Sequence, residues 1–240
     1  MQNILSFDIE ISNVFELKPG EELEKYAPFQ ISVAAAVGDW VSPRSLWYSV
    51  DGNGELGPSL NKTDAALMLD CLELALNQGI MLCAWNGLGF DMRWIGHNAE
   101  DLDRAAKLAL RIYDPMFQFF NQTGYMVGLA AVAEGFGIQQ KKLMHGSEAP
   151  KAWRDGHYKQ VMDYVIGDCE LTNEVVRRIQ AEGGVRWITK KGLPKFEPIR
   201  RLKTVREVMA DPAPDQSWQS NPIPKERFYA WALPYIAVGV

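Results

Sequence analysis

Asn3-Ile4-Leu5-Ser6-Phe7-Asp8-Ile9-Glu10-Ile11 lies at the start of the chain, and its reading decides the fold. Ile4, Leu5, Phe7, Ile9 and Ile11 make a near-continuous apolar run with β-branched members, the composition of a strand buried on both faces. Two carboxylates in such a strand need a reason. Asp8 and Glu10 stand two residues apart, so their side chains leave the same face with Cβ atoms roughly 6 to 7 Å apart. Desolvating two unpaired carboxylates side by side is costly, and a bound divalent cation is the usual compensation. Two such groups can straddle a pair of metal ions about 4 Å apart, the arrangement used in phosphodiester hydrolysis. The alternative is a strand end with both acids in water. The tripeptide alone does not decide, because Asp168-Cys169-Glu170 repeats it inside a helical pattern. There, positions two apart point about 200° from each other and cannot share a metal.

The totals set the bounds. A chain of 240 residues holds one large domain, or a domain with an appendage, and buries a full core. At 47% hydrophobic and 23% charged it has the make-up of a globular protein. No run approaches the roughly eighteen apolar residues of a membrane span, and no basic segment followed by an apolar one opens the chain, so neither a span nor a signal peptide is expected. Cys71, Cys83 and Cys169 are odd in number and lack Cys-x-x-Cys spacing, which points to a reducing, cytoplasmic setting and away from structural zinc. A net charge of -5 argues against a protein that coats nucleic acid through bulk charge, yet it leaves room for an enzyme with local basic patches.

Outward from the first strand, Ser12 to Pro28 is a polar loop punctuated by Pro19-Gly20 and is expected to lie over the carboxylates. Gln30 to Val37 and Leu46 to Val50 read as second and third strands, close enough for antiparallel hairpins. A helix is expected from an N-cap at Thr63 to Gly79, followed by a short apolar strand, Ile80 to Trp85. The switch from hairpins to alternating strand and helix predicts an α/β fold: a mixed sheet, three antiparallel strands then parallel ones, flanked by helices.

The Ile80 to Trp85 strand delivers Asn86-Gly87-Leu88-Gly89-Phe90-Asp91, where two glycines permit a tight turn. Asp91 is then either a third carboxylate at the strand end, with Asn86 as a neutral contact to substrate, or a first-turn residue complementing a helix dipole. Ala105 to Ile112 is expected to run from helix into strand, with Asp114-Pro115 as its stop. Gly128 to Phe136 predicts a small helix, and Gln139 to Pro150 a loop whose Lys141-Lys142 either touches phosphate or is simply solvated. A long helix over Tyr158 to Ala181 pairs Tyr164 with Asp168 at i, i+4, close to its apolar stripe. The alternative there is an exposed aspartate with Tyr164 filling core.

Beyond Gly183-Gly184 the character changes. Arg186, Lys190, Lys191, Lys195, Arg200, Arg201, Lys203 and Arg206 face one acid, Glu197, a local charge of +7. This is where a phosphate backbone is expected to run, unless the segment is a solvated appendage. Ala210 to Pro224 is Pro-rich and expected to be irregular, and Trp231 with Leu233 to Val240 to pack back on the domain. The expected division is a core domain at 1–182 and a basic, then Pro-rich, extension at 183–240 on the same domain.

Taken together, Asp8-x-Glu10 on a strand, Asn86-x-x-x-Phe90-Asp91 at a strand-to-helix junction and Tyr164-x-x-x-Asp168 on a late helix resemble the DEDD superfamily of 3′-to-5′ exonucleases. That superfamily has the ribonuclease H-like fold, and the resemblance is to its Tyr-type branch, nearest the exonuclease domains of family B DNA polymerases. It covers roughly residues 3 to 180. It implies that Asp8, Glu10, Asp91 and Asp168 hold two divalent ions, Mg²⁺ or Mn²⁺, and that Tyr164 orients the attacking water. Asn86 would contact the terminal nucleotides. Related first motifs often place Thr after the Glu to touch the 3′ end; here Ile11 stands there, followed by Ser12, and these two are the candidates for that contact. The implied partner is single-stranded nucleic acid, DNA ahead of RNA, with replication or repair proteins beside it and no membrane. Two rivals stay open: an endonuclease on structured DNA or a hybrid, and a non-catalytic binding module.

Overall fold

β1 (Ile4–Ile11) lies at the centre of the computed structural model, which describes residues 3–18, 20–40, 45–139 and 144–236. Along the chain follow β2 (Ile31–Gly38), β3 (Leu46–Trp47), α1 (Lys62–Asn77), β4 (Met81–Cys83), α2 (Asp91–Asn98), α3 (Leu102–Ala109), α4 (Pro115–Thr123) and α5 (Leu129–Gly135). After these come α6 (Ala149–Arg154), α7 (Tyr158–Glu182), β5 (Gly184–Ile188), β6 (Pro194–Pro198), α8 (Val205–Ala210) and α9 (Leu233–Ile236). The main sheet has the order β3-β2-β1-β4. β2 is antiparallel to both β1 and β3, and β4 is parallel to β1, so the sheet is mixed and flanked by helices as the pattern predicts.

Strand alternation divides β1 between two layers. Leu5, Phe7 and Ile9 enter the larger core with α1 and α2, and burying each contributes about 1.5 to 3 kcal/mol. Ile4 and Ser6 face α7: Ile4 clusters with Val176, and the Ser6 hydroxyl donates to Asn173 Oδ1 at 2.8 Å. Asn173 Nδ2 in turn donates to the Val37 carbonyl at 2.8 Å, pinning the helix to two strands at once. Two residues of strand advance roughly 6.6 Å, close to the 5.4 Å of one helical turn, so continuing along β1 sets Asp8 and Glu10 against the turn carrying Asp168 and Cys169.

β4 ends opposite Ser6. Beyond that point β1 has no strand partner on this side among the described residues, and the chain leaving β4 turns over its edge into α2. The carboxylates of β1 therefore lie where a parallel strand stops, the usual place for a crevice in such sheets.

The region after residue 182 joins the same body. β5 and β6 pair antiparallel, and Val185 and Trp187 pack with Leu171, Val175 and Ile179 of α7 and Val132 of α5. A Cβ at Gly135 would collide with the Trp187 backbone, so only glycine lets α5 approach β5 this closely. Val205, Val208, Phe228 and Tyr229 enter the main core. Lys225 is buried, its ammonium donating to the carbonyls of Val208 at 2.6 Å and Asp211 at 2.8 Å, a cap on the negative end of α8.

Several elements differ from the sequence reading. β3 stops at Trp47 rather than Val50, because Ser49 turns to the start of α1, accepting from Asn61 N at 2.8 Å and donating to Asp64 at 2.6 Å. The cap of α1 is Asn61, whose side chain accepts from Asp64 N, not Thr63. Ala105 to Ile112 ends as helix at Ala109, and the expected strand shrinks to single bridges from Tyr113 to Cys83 and Thr204. Asp114-Pro115 opens α4 instead of closing the preceding element. α6 begins in the last two residues of the expected Gln139 to Pro150 loop, the β5–β6 hairpin occupies the basic stretch to which the sequence assigns no element, and Lys141-Lys142 and the chain after Ile236 lie outside the described residues. No helix among the described residues is long and apolar enough to cross a membrane.

Candidate active site

Three carboxylates meet where β1 passes α7. Oxygens of Asp8, Glu10 and Asp168 lie within 4.8 Å of one another, with Glu10 buried and the other two partly so. Asp91, the first residue of α2, joins them from the β4 side: it is 3% exposed, bonds to the Asp8 side chain, and leaves Oδ1 buried without a hydrogen-bond partner. The site is thus assembled from a central strand, the turn that leaves its parallel neighbour, and a helix held in register by Asn173.

Burial is the leading cause of every carboxylate shift here. It raises Asp8 well above the usual range, and Asp91, Glu10 and Asp168 push it further by like-charge repulsion. Glu10 is raised in the same way by burial, then by Asp168 and Asp91. Asp91 is pushed up to about 7 by burial, against the pull of its own backbone N–H and of Ile9. Asp168 is raised by burial and drawn back by the hydrogen bond from Tyr164. A cluster that resists ionisation only because its members are desolvated and alike in charge is one a hard divalent cation would relieve. The orphaned Asp91 oxygen and the all-oxygen donor set are of the kind that hold a divalent cation.

The Tyr164 phenol is half-buried and shifted upward by burial, then by the charges of Asp168, Glu10 and Asp8. It stays protonated and donates to Asp168. Beside it runs a groove of about 680 Å³ walled by α5 at Leu129 and Ala130, by Gly146, and by Tyr164, Gly167 and Asp168 of α7. Of the four carboxylates, Asp168 lines this groove.

Asn86 has a left-handed backbone, φ 68°, and its conformation is held by Asp114, whose Asp-Pro sequence by itself signals only a boundary between elements. Asp114, 1% exposed, accepts Asn86 N at 3.1 Å and Phe117 N at 3.0 Å on one oxygen and Leu88 N at 3.0 Å on the other. One carboxylate therefore caps α4 and holds the turn between Asn86 and Asp91; burial nevertheless lifts it to about 6. The signal available was Asp-Pro, a helix-opening pair with Pro at the first helical position. At the other edge, β1 bulges between Glu10 and Ile11; Ile11 packs on the main core, and Ser12 is tied to Gln30 O by its backbone N at 2.8 Å and its hydroxyl at 3.3 Å. Phe90 packs against Phe29 and Trp94. Of the expected basic run, Arg186 pairs with Glu182, Arg201 with Glu207 at 2.8 Å and Lys203 with Asp211 at 2.6 Å. Lys190, Lys191, Lys195, Arg200 and Arg206 are exposed and form no ion pair among the described residues.

Residues 55–177 match the family model of the RNase H superfamily, and the chain belongs to that superfamily. The match takes in Asp91, Tyr164 and Asp168 and begins after β1. No curated protein sequence matches the chain. Among solved structures, the family B DNA polymerase from the hyperthermophilic archaeon Pyrobaculum calidifontis is similar over 75% of this chain, at 17% identity and a TM-score of 0.49. The chain spans 25% of that polymerase's length.

Proposed function

We propose that this chain is a metal-dependent 3′-to-5′ exonuclease that removes nucleoside monophosphates from single-stranded ends, DNA ahead of RNA. Membership of the RNase H superfamily supports a nuclease-type activity in general. The observation that carries the finer reading is the meeting of Asp8, Glu10 and Asp168 within 4.8 Å, with Asp91 bonded to Asp8 and Tyr164 bonded to Asp168.

In this reading Asp8, Glu10, Asp91 and Asp168 hold two divalent ions. When bound, Mg²⁺ or Mn²⁺ polarises the phosphoryl oxygens and acidifies a water toward neutral pH. The protein's own part is placement. Asp168 fixes the Tyr164 hydroxyl, whose remaining lone pair orients the water that attacks the phosphorus. Asn86, presented by the turn that Asp114 holds, offers its amide to the terminal nucleotide, and Ile11 and Ser12 border the 3′ end. Residues 1–182 are the catalytic domain in this reading and 183–240 its extension, whose described part packs on it. The three cysteines, all buried and unbridged, fit a cytoplasmic enzyme, and replication or repair proteins are its expected partners.

The test is digestion of a single-stranded DNA and a matching RNA, each labelled at the 5′ end, with Mn²⁺ or Mg²⁺. A ladder shortening from the 3′ end, lost in Asp8→Asn and reduced about 10- to 100-fold in Tyr164→Phe, is the expected result. Internal cuts would instead indicate an endonuclease, and binding without cleavage a module that kept the acids and lost the reaction.

A further inference from the structure

Away from the carboxylates, one large aromatic side chain stands in water on a loop built to hold it. Trp218 is 62% exposed. Its loop is held at three points: Gln216 exchanges two hydrogen bonds with the Ile223 backbone at 2.7 and 2.6 Å, Gln219 Nε2 donates to Gly124 O at 2.7 Å, and Asp215 Oδ1 accepts Ser217 N at 2.9 Å. The indole sits edge-on to Tyr125, ring centres 6.1 Å apart, and Tyr125 leans on Trp187 of β5 at 6.2 Å. The indole N–H donates to Asp215 O at 3.2 Å, so the ring is held at its edge by the loop while its face is left open to a ligand.

Charge indicates what kind of ligand. Lys195 lies directly across from Trp187 in the hairpin and so emerges on the hairpin face that meets Tyr125. The turn joining the two strands carries Lys190 and Lys191. All three lysines are exposed and outside any ion pair among the described residues, while the one acid on that face of the hairpin is Glu197. The path of rings from Trp218 through Tyr125 to Trp187 leads to Lys195, and aromatic faces continuing into unpaired ammonium groups match a chain with π-faces and a phosphate backbone, and do not match an apolar protein surface.

Position relates this surface to the carboxylates. The segment from Tyr125 leads directly to Leu129 and Ala130, which wall the groove beside Tyr164 and Asp168. Four residues span at most about 14 Å of backbone, and with the reach of the two rings Trp218 stands within about 25 Å of that wall. At about 3.4 Å per nucleotide along one stacked strand, this is at most about seven nucleotides.

We propose that Trp218, with Lys190, Lys191 and Lys195, forms a docking surface for the unpaired strand a few nucleotides upstream of the end held by the carboxylates. The proposal rests on the exonuclease reading and names its substrate contact. A base stacks on the Trp218 indole, and the lysines neutralise phosphates.

The experiment compares wild type, Trp218→Ala, Trp218→Phe and the triple Lys190→Ala/Lys191→Ala/Lys195→Ala on 5′-labelled single strands of 4 and 20 nucleotides. Cleavage with Mn²⁺ and fluorescence anisotropy of the same strands are both read. For Trp218→Ala, KM and Kd for the 20-mer rise about 5- to 150-fold relative to the 4-mer, the worth of stacking one base. Trp218→Phe recovers most of that difference, and the triple variant lowers the salt slope of 20-mer binding by about 2. An equal change on both lengths, or none on the 20-mer, overturns the proposal. So does a Trp218→Ala protein that binds the 20-mer normally but changes from dimer to monomer in light scattering, because the indole then serves a protein contact. If wild type cleaves neither strand, the exonuclease reading fails, and the anisotropy series still decides the docking surface.

Discussion

The acidic end of β1 and the basic β5–β6 hairpin are both clusters of like charge, and they differ in where the charge is placed. Asp8, Glu10, Asp91 and Asp168 are pressed together, desolvated and shifted upward, and one Asp91 oxygen has no partner. The hairpin and the residues after it spread a larger formal charge over water, and acids from outside the run pair with Arg186, Arg201 and Lys203. Like charges in water cost little and are screened, whereas like charges out of water remain only if something offsets them. The count of charges therefore says less about chemistry than their burial does. Substitutions at the two ends are expected to behave in opposite ways.

The sharpest break between them is catalytic. Asp8→Asn is expected to lower kcat by about 10³-fold or more, since in the proposed reaction it removes an anion that holds the metal ions. The same change removes one member of a repelling set, so the metal-free protein is expected to melt at a higher temperature than wild type. Loss of activity together with gain of stability separates a functional carboxylate from a structural one. If Asp8→Asn melts lower without metal, the acids hold the fold together and the comparison fails. The lysine variant of the hairpin is expected to change neither kcat nor melting.

Acidity gives the next largest effect. Asp91, ordinarily near 3.8, is raised to about 7, so the folded protein holds this proton more tightly than the unfolded chain. Its contribution is complete below about pH 4 and is lost as pH rises toward about 7, at most about 4 kcal/mol. Metal-free protein is therefore expected to lose stability between pH 5 and 8, and Mn²⁺ to restore it at pH 8. Melting curves in EDTA and in Mn²⁺ at the two pH values check this, and equal curves under all four conditions would remove the case for a cation site. The hairpin stretch from Gly184 to Arg206 has no histidine and should contribute nothing to that slope.

Asp114 comes third. Asp114→Asn places an amide NH₂ where a carboxylate oxygen accepted a backbone N–H, leaving a buried donor unpaired at a cost of about 1 to 3 kcal/mol. The turn it holds carries Asn86 and ends at Asp91, so a shift of about 1 Å there is expected to cost up to about 100-fold in activity as well. A stability loss with unchanged kcat would restrict Asp114 to capping α4.

What the sequence made legible follows the same division. β1, β2 and α7 announce themselves because an apolar period interrupted by acids has few readings, and the mixed sheet follows from their order. α4 was hidden because Asp114-Pro115 ends one element and begins another, and both roles use the same two residues. The β5–β6 hairpin was hidden because its inward Val185 and Trp187 are spaced among basic residues that drew the reading toward charge. Asp114 was beyond reach for a different reason: nothing local says that a helix cap will also receive Asn86 and Leu88 from 26 to 28 residues earlier. Trp218 stands in a Pro-rich loop, and its exposure depends on Gln216 and Gln219 reaching partners no periodicity links.

The smallest expected effect asks whether the acidic end gives up stability for use. Gly167 sits inside α7 one residue before Asp168 and borders the groove, yet a Cβ there would meet nothing within 4 Å. Glycine in a helix interior costs roughly 0.5 to 1 kcal/mol relative to alanine, and no packing constraint requires it here. Gly167→Ala is therefore expected to stabilise the protein by about that amount, raising Tm by about 1 to 4 °C for a chain of this size. If the groove receives the strand, the added methyl stands in its path, and kcat/KM on a single-stranded substrate should fall while melting improves. If stability rises and cleavage is untouched, the strand does not pass Gly167, and its route to Asp168 has to be sought on the side of Asn86 instead.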